Sequence, residues 1–168
     1  MLPDLDRLVD ALPAGQAGLR LRGTAGLAGL LDPGSTIASV AAGVLGPNAR
    51  PVRAILFDKS PGTNWSLAWH QDRTIAVRQR IDTPDFGPWS TKRGLQHVEP
   101  PFGLIERMVT VRIHIDDVPE DNAPLLVAPG SHRLGRIAED RIEAAVAACG
   151  VATCLADRGD IWLYATPI

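Results

Sequence analysis

Cysteine is nearly absent from this chain, and the two that occur, Cys149 and Cys154, stand with four residues between them. That spacing makes neither a Cys-x-x-Cys redox pair nor half of a zinc site, so both read as small apolar residues in a reducing compartment. No stripe of basic residues forms. The formal net charge is -2 and the pI about 6.0, which leaves a nucleic-acid partner without an electrostatic footprint. No uninterrupted apolar run approaches the ~20 residues that a bilayer span requires. The N-terminus, Met1-Leu2-Pro3-Asp4-Leu5-Asp6, lacks the basic stretch and apolar run of a secretory signal. A cytoplasmic location with no membrane partner is the expectation.

What is there is a globular composition. With 168 residues, 45% of them apolar and 21% charged, one domain with one core is expected over 1–168, and disorder is not. Residues 1–50 carry the helical pattern. Leu5, Leu8, Val9 and Leu12 fall at helical spacing with Asp4 as N-cap, a second stretch runs from Thr24 to Leu31, and a third from Ser35 to Leu45, capped by Ser35 and stopped by Gly46-Pro47. From Pro51 the pattern turns to β-branched, period-two runs: Val52 to Asp58, Ile75 to Arg80, Met108 to Ile115, Leu125 to Ala128 and Ile161 to Tyr164. One later helix is expected at Ile137 to Cys149, ended by Gly150. The segment Asp82 to Pro101 holds so many prolines and glycines that it reads as irregular, and loops of that length are usually functional or disordered. Helical support over 1–50 and antiparallel strands over 51–168 fit a mainly β fold, a double-stranded β-helix or jelly roll of cupin-like type.

The strongest chemical signal is His70-Gln71-Asp72. On an extended segment, residues two apart point the same way, so an imidazole and a carboxylate emerge together as two legs of a 2-His-1-carboxylate site for non-haem Fe(II). By itself a His-x-Asp triplet is weak. Around it stand, in order, Lys59-Ser60-Pro61-Gly62-Thr63-Asn64-Trp65, Trp69-His70-Gln71-Asp72, Trp89-Ser90-Thr91-Lys92, Arg112-Ile113-His114-Ile115-Asp116-Asp117, Asp121-Asn122-Ala123-Pro124-Leu125 and Pro129-Gly130-Ser131-His132. This series, from about Pro51 to Ile168, resembles the phytanoyl-CoA dioxygenase family of Fe(II)/2-oxoglutarate oxygenases.

The resemblance implies a jelly-roll core, with Fe(II), 2-oxoglutarate and O2 as metal, cosubstrate and oxidant. It makes His70 and Asp72 the metal ligands. The distal histidine would follow the turn Gly159-Asp160, and the 2-oxoglutarate arginine would come about one strand later. Both then fall past Ile168, as do the last strands of the core. Relatives that halogenate replace the carboxylate with a small residue, so Asp72 favours hydroxylation. Ile55, Phe57 and Lys59 alternate onto one strand face, which the resemblance sets along the cosubstrate pocket. Arg112 falls where relatives often carry a pocket tryptophan, and so is a candidate for contacting cosubstrate or an anionic substrate. Lys59 and Arg112 are also readable as exposed strand cations.

Trp65, Lys92 and His97 are candidates for the substrate side: Trp65 as one of the aromatics clustered near the motif, Lys92 from the centre of the irregular segment, and His97 near Lys92 and Glu99. His114 and His132 are possible third imidazoles, with a solvent-facing or packed strand residue and a backbone-bonded turn residue as their structural readings. The expected activity is hydroxylation of a small organic molecule coupled to oxidative decarboxylation of 2-oxoglutarate to succinate and CO2. The alternative is a non-catalytic jelly-roll binding protein, or an inactive fragment without the third ligand. A cupin-like isomerase ranks last, because such enzymes typically use more histidines than the four present. Substrate identity and oligomeric state have no signature here.

Overall fold

In a computed structural model of the chain, which describes residues 1–59, 62 and 66–168, the N-terminal helices form where the apolar spacing lies, but their starts differ from the expectation. Helix α1 (Leu2–Asp10) begins with Met1 at the N-cap and a proline in its first turn, where the missing N–H costs nothing. Asp4 is therefore inside the first turn rather than capping it, and its carboxylate meets the N-terminal ammonium at 3.3 Å and the Arg7 guanidinium. Leu8 is the buried residue of this helix.

Helix α2 is short (Leu27–Leu31), and α3 runs over Thr36–Leu45. The stretch Leu27–Leu45 has a mean hydropathy of 1.3, enough by length and composition for a membrane span. The backbone breaks it: Asp32 is extended (φ -60, ψ 148) and ends α2, so neither piece nears the ~20 helical residues a span needs. Ser35 caps α3 as expected, its side chain accepting from the Ala38 N–H at 3.1 Å.

Every strand pairing is antiparallel. Strand β1 (Gly18–Arg20) pairs with β2 (Ile55–Phe57), placing Arg20 opposite Ile55. Strands β3 (Ile75–Val77), β4 (Trp89–Lys92) and β5 (Leu95–Val98) make a sheet in the order β3-β5-β4. The segment read as irregular is thus, over its second half, a tight hairpin. Its two loop residues, Arg93 (φ 50) and Gly94 (φ 77), both lie in the left-handed region, the geometry of a type I′ turn, whose twist matches that of the flanking strands.

After a single helical turn, α4 (Phe102–Ile105), strand β6 (Val109–Ile113) pairs with β9 (Ile161–Ala165). Their register puts Arg112 opposite Trp162 and Thr110 opposite Tyr164, so one face of this ribbon carries polar and aromatic groups while Val109, Val111, Ile113, Ile161 and Leu163 occupy the other. Helix α3 packs against β6. Strand β7 (Leu125–Val127) pairs with β8 (Ala152–Cys154), and α5 (Ile142–Cys149) lies between them in sequence, preceded by 3-10 turns at Ser131–Leu134 and Glu139–Arg141.

The result is mixed helix and antiparallel sheet, consistent with a mainly β fold behind helical support. Among the described residues the small sheets do not close into a barrel. The core is thin: Val98, Ile105 and Cys154 are fully buried. The accessible surface is 10374 Å², against roughly 8,000 Å² for a folded monomer of 17.9 kDa by the usual scaling.

Candidate metal centre

His70, Gln71 and Asp72 lie in a segment without regular secondary structure that runs into β3. Gln71 is 8% exposed, His70 is exposed and the Asp72 side chain is 47% exposed. His70 Nδ1 is 2.8 Å from the Ala68 carbonyl oxygen. A carbonyl has no proton to give, so Nδ1 carries the hydrogen, and Nε2 is the ring nitrogen left without this partner, as in metal-binding imidazoles that donate from Nδ1. Asp72 Oδ2 is 3.5 Å from Arg53 Nη2, at the outer limit of a hydrogen bond. An imidazole whose Nδ1 is engaged by a carbonyl, two residues before a half-exposed carboxylate, fits two legs of an Fe(II) site. Among the described residues no group of three His, Cys, Asp or Glu side chains converges.

Positive charge and a phenol surround the carboxylate. Burial pushes the Tyr164 phenol above its ordinary value; the positive charge of Arg112 opposes that rise and the Asp72 carboxylate adds to it. Arg112 and Tyr164 share one face of the β6-β9 ribbon by register, so Arg112, Tyr164 and Asp72 occupy one neighbourhood. On the other side, Arg53 is two residues before Ile55 and Arg20 lies opposite Ile55. Arg20 thus lies across from the Ile55 end of the face expected to line the cosubstrate pocket, and Arg53 just before that strand.

His97, the middle of β5, is fully buried between Ala76 and Ser90 on the neighbouring strands. Its Nδ1 donates to the Leu95 carbonyl at 3.0 Å, and its Nε2 is buried without a hydrogen-bond partner. Burial lowers its pKa, as do Lys92, Arg20 and Arg53, against the Leu95 bond. His97 and Trp89 lie on opposite faces of this sheet, because Trp89 is directly across from Val98. A cleft of about 510 Å³ on the Trp89 face is lined by Val77, Phe86, Trp89 and Val98. Another, of about 430 Å³, lies along α5. Neither contains the His-x-Asp motif.

The remaining sequence candidates are placed as follows. Ile55 is half-buried, while Phe57 and Lys59 are exposed. Trp65 lies outside the described residues. Lys92 ends β4 as an exposed hairpin residue rather than the centre of an irregular loop. His114 is buried just past β6, its backbone bonded to Asp160 and Gly159. Burial and then Arg112 lower its pKa, with Asp160 opposing. His132 lies in the first 3-10 turn, and its ring Nδ1 is buried without the backbone partner expected for it. Sequence reasoning missed Arg53, Tyr164 and Gln71. A strand-face reading of β2 extended two residues back would have found Arg53.

The class is a mainly antiparallel domain with N-terminal helices that presents a His-x-Asp pair beside arginines and a phenol. The chain belongs to the phytanoyl-CoA dioxygenase (PhyH) family, whose model matches residues 21–163 and so includes both motif residues. Membership points to oxygenase chemistry. No curated protein and no solved structure matches the chain.

Proposed function

We propose that this chain is an Fe(II)/2-oxoglutarate-dependent dioxygenase domain that hydroxylates a small organic molecule and converts 2-oxoglutarate to succinate and CO2. The observation that supports this best is His70, whose Nδ1 bond to Ala68 leaves Nε2 open two residues before Asp72, within the family match. His70 Nε2 and the Asp72 carboxylate would supply two ligands of the metal, and the resemblance implies a second imidazole as the third. When bound, the metal supplies activation of O2. Arg53 and Arg112 bring positive charge to a place where an anionic cosubstrate would otherwise be desolvated without compensation. Tyr164, a phenol already protonated at neutral pH and shifted further upward by burial, keeps an O–H to donate.

Succinate formation, followed in the presence and absence of Fe(II), tests the reading. Iron-dependent turnover that is lost in His70→Ala and in Asp72→Ala supports it. Turnover unchanged in both variants overturns it, and a chain that binds neither Fe(II) nor 2-oxoglutarate in anaerobic titration belongs to the non-catalytic alternative.

A further inference from the structure

Gln71 stands between the two motif residues and faces the opposite way. Its Nε2 donates to the carbonyls of Gly135 at 3.0 Å and Pro167 at 3.2 Å, and its Oε1 accepts from the Ile137 N–H at 2.9 Å. Both amide hydrogens and the amide oxygen are thus engaged, as a buried amide requires. Arg73, two residues on, donates to the Ile137 carbonyl and lies 3.9 Å from Glu139. Residues 71 and 73 therefore grip one short segment, 135–139. That segment is itself held by an ion pair from Arg136 to Glu99 at 2.9 Å.

We propose that Gln71 is a positioning residue for the metal ligands. Its three bonds fix the rotation of the extended segment about its own axis, which fixes the side on which His70 and Asp72 emerge. The inference rests on reading His70 and Asp72 as ligands. A merely structural Gln71 would hold two loops together without setting the direction of its neighbours. The two roles separate in measurements that do not depend on turnover.

The test uses the full chain, with Gln71→Leu, Gln71→Glu, His70→Ala and, as a control elsewhere in the core, Val127→Ala. One readout is the His70 tautomer from nitrogen NMR of histidine-labelled protein without metal, at a pH where the ring is neutral. The other is Mn(II) affinity by EPR, each measured where thermal melts show the protein folded. In Gln71→Leu the Nδ1–H form of His70 should give way to a mixture of tautomers, and Mn(II) should bind about tenfold more weakly, the usual scale for residues behind a ligand. Val127→Ala should lower the melting temperature and leave both readouts in place. Gln71→Glu keeps the acceptor for Ile137 but loses both donors, so it should give an intermediate result, and it carries the test if the leucine variant does not fold. Wild-type tautomer and affinity in the Gln71 variants, or an equal loss in Val127→Ala, overturn the proposal. If His70→Ala leaves Mn(II) affinity unchanged, the ligand reading fails instead, and the metal-free tautomer readout still reports on Gln71.

Discussion

Arg53 Nη2 stands 3.5 Å from Asp72 Oδ2, joining the segment that leads into β2 to the carboxylate of the His-x-Asp motif. The pair is long and half-exposed on the carboxylate side. Ion pairs of this kind contribute about 0–1 kcal/mol, so stability is a poor reason for it. Its electrostatic consequence is larger: Arg53 repels a divalent cation at Asp72 and attracts a dicarboxylate.

Arg53→Gln should accordingly change binding with opposite signs. Stability in urea should fall by less than about 1 kcal/mol. Mn(II) alone should bind more tightly, and 2-oxoglutarate in the presence of metal should bind more weakly, both measurable by calorimetry. Loss of both affinities together would remove Arg53 from the site's electrostatics.

The two buried histidines predict how stability follows pH. His97 and His114 both have lowered folded-state pKa values, chiefly from burial, relative to 6.5. The unfolded chain therefore binds more protons as acidity rises. This contribution to stability is complete above pH 6.5 and is lost as pH falls through that value towards the folded pKa values. The melting temperature should drop between pH 7.5 and pH 5, and His97→Gln should flatten the slope. A pH-independent melt over that range would show that both rings are accessible.

Gly159 offers a backbone test close to the start of β9. Its φ is +100, and a Cβ there would meet Leu2 Cδ1 at 3.1 Å. The Leu2 side chain can yield, but the dihedral cannot. Gly159→Ala should cost about 1–3 kcal/mol through strain alone, read as a lower urea midpoint. An unchanged midpoint would mean that the turn rearranges freely.

Thiol reactivity should separate the cysteines. Cys154 is fully buried, and burial raises its thiol pKa, with Arg112 opposing; Cys149 is half-buried at the end of α5. A colorimetric disulfide reagent should titrate Cys149 in the native protein and Cys154 only on unfolding, since thiolate fraction and access set the rate. Equal rates for the two would contradict the burial of β8.

Signals carried by near neighbours were legible in the sequence. Ser35 caps α3, Gly150 ends α5, and the β-branched run at 109–113 makes a strand, each decided within a few residues. Asp4 misled because the proline before it lets the helix begin earlier. The hairpin at 89–98 was hidden because Arg93 takes a left-handed conformation that its residue type does not advertise. The three-residue β1 is too short to show any period. The His-x-Asp pair stood out in the sequence only with the motifs around it, whereas the bonds of Gln71 depend on atoms 64 to 96 residues away. Whether strands close a barrel is likewise set by pairings at long range, on which local patterning is silent.

All three partners of Gln71 are main-chain atoms, and main-chain atoms are the same in every residue save proline's missing N–H. The segment carrying Gly135 and Ile137 can therefore drift in side-chain identity while still meeting the amide, provided Gly135 keeps its turn and position 137 is not proline. An inserted or deleted residue between Leu134 and Ala138 is a different kind of change, since it moves a donor and an acceptor out of register at once. Around this motif the molecule should tolerate substitution and resist changes in length, the reverse of what is ordinarily expected of a surface connection.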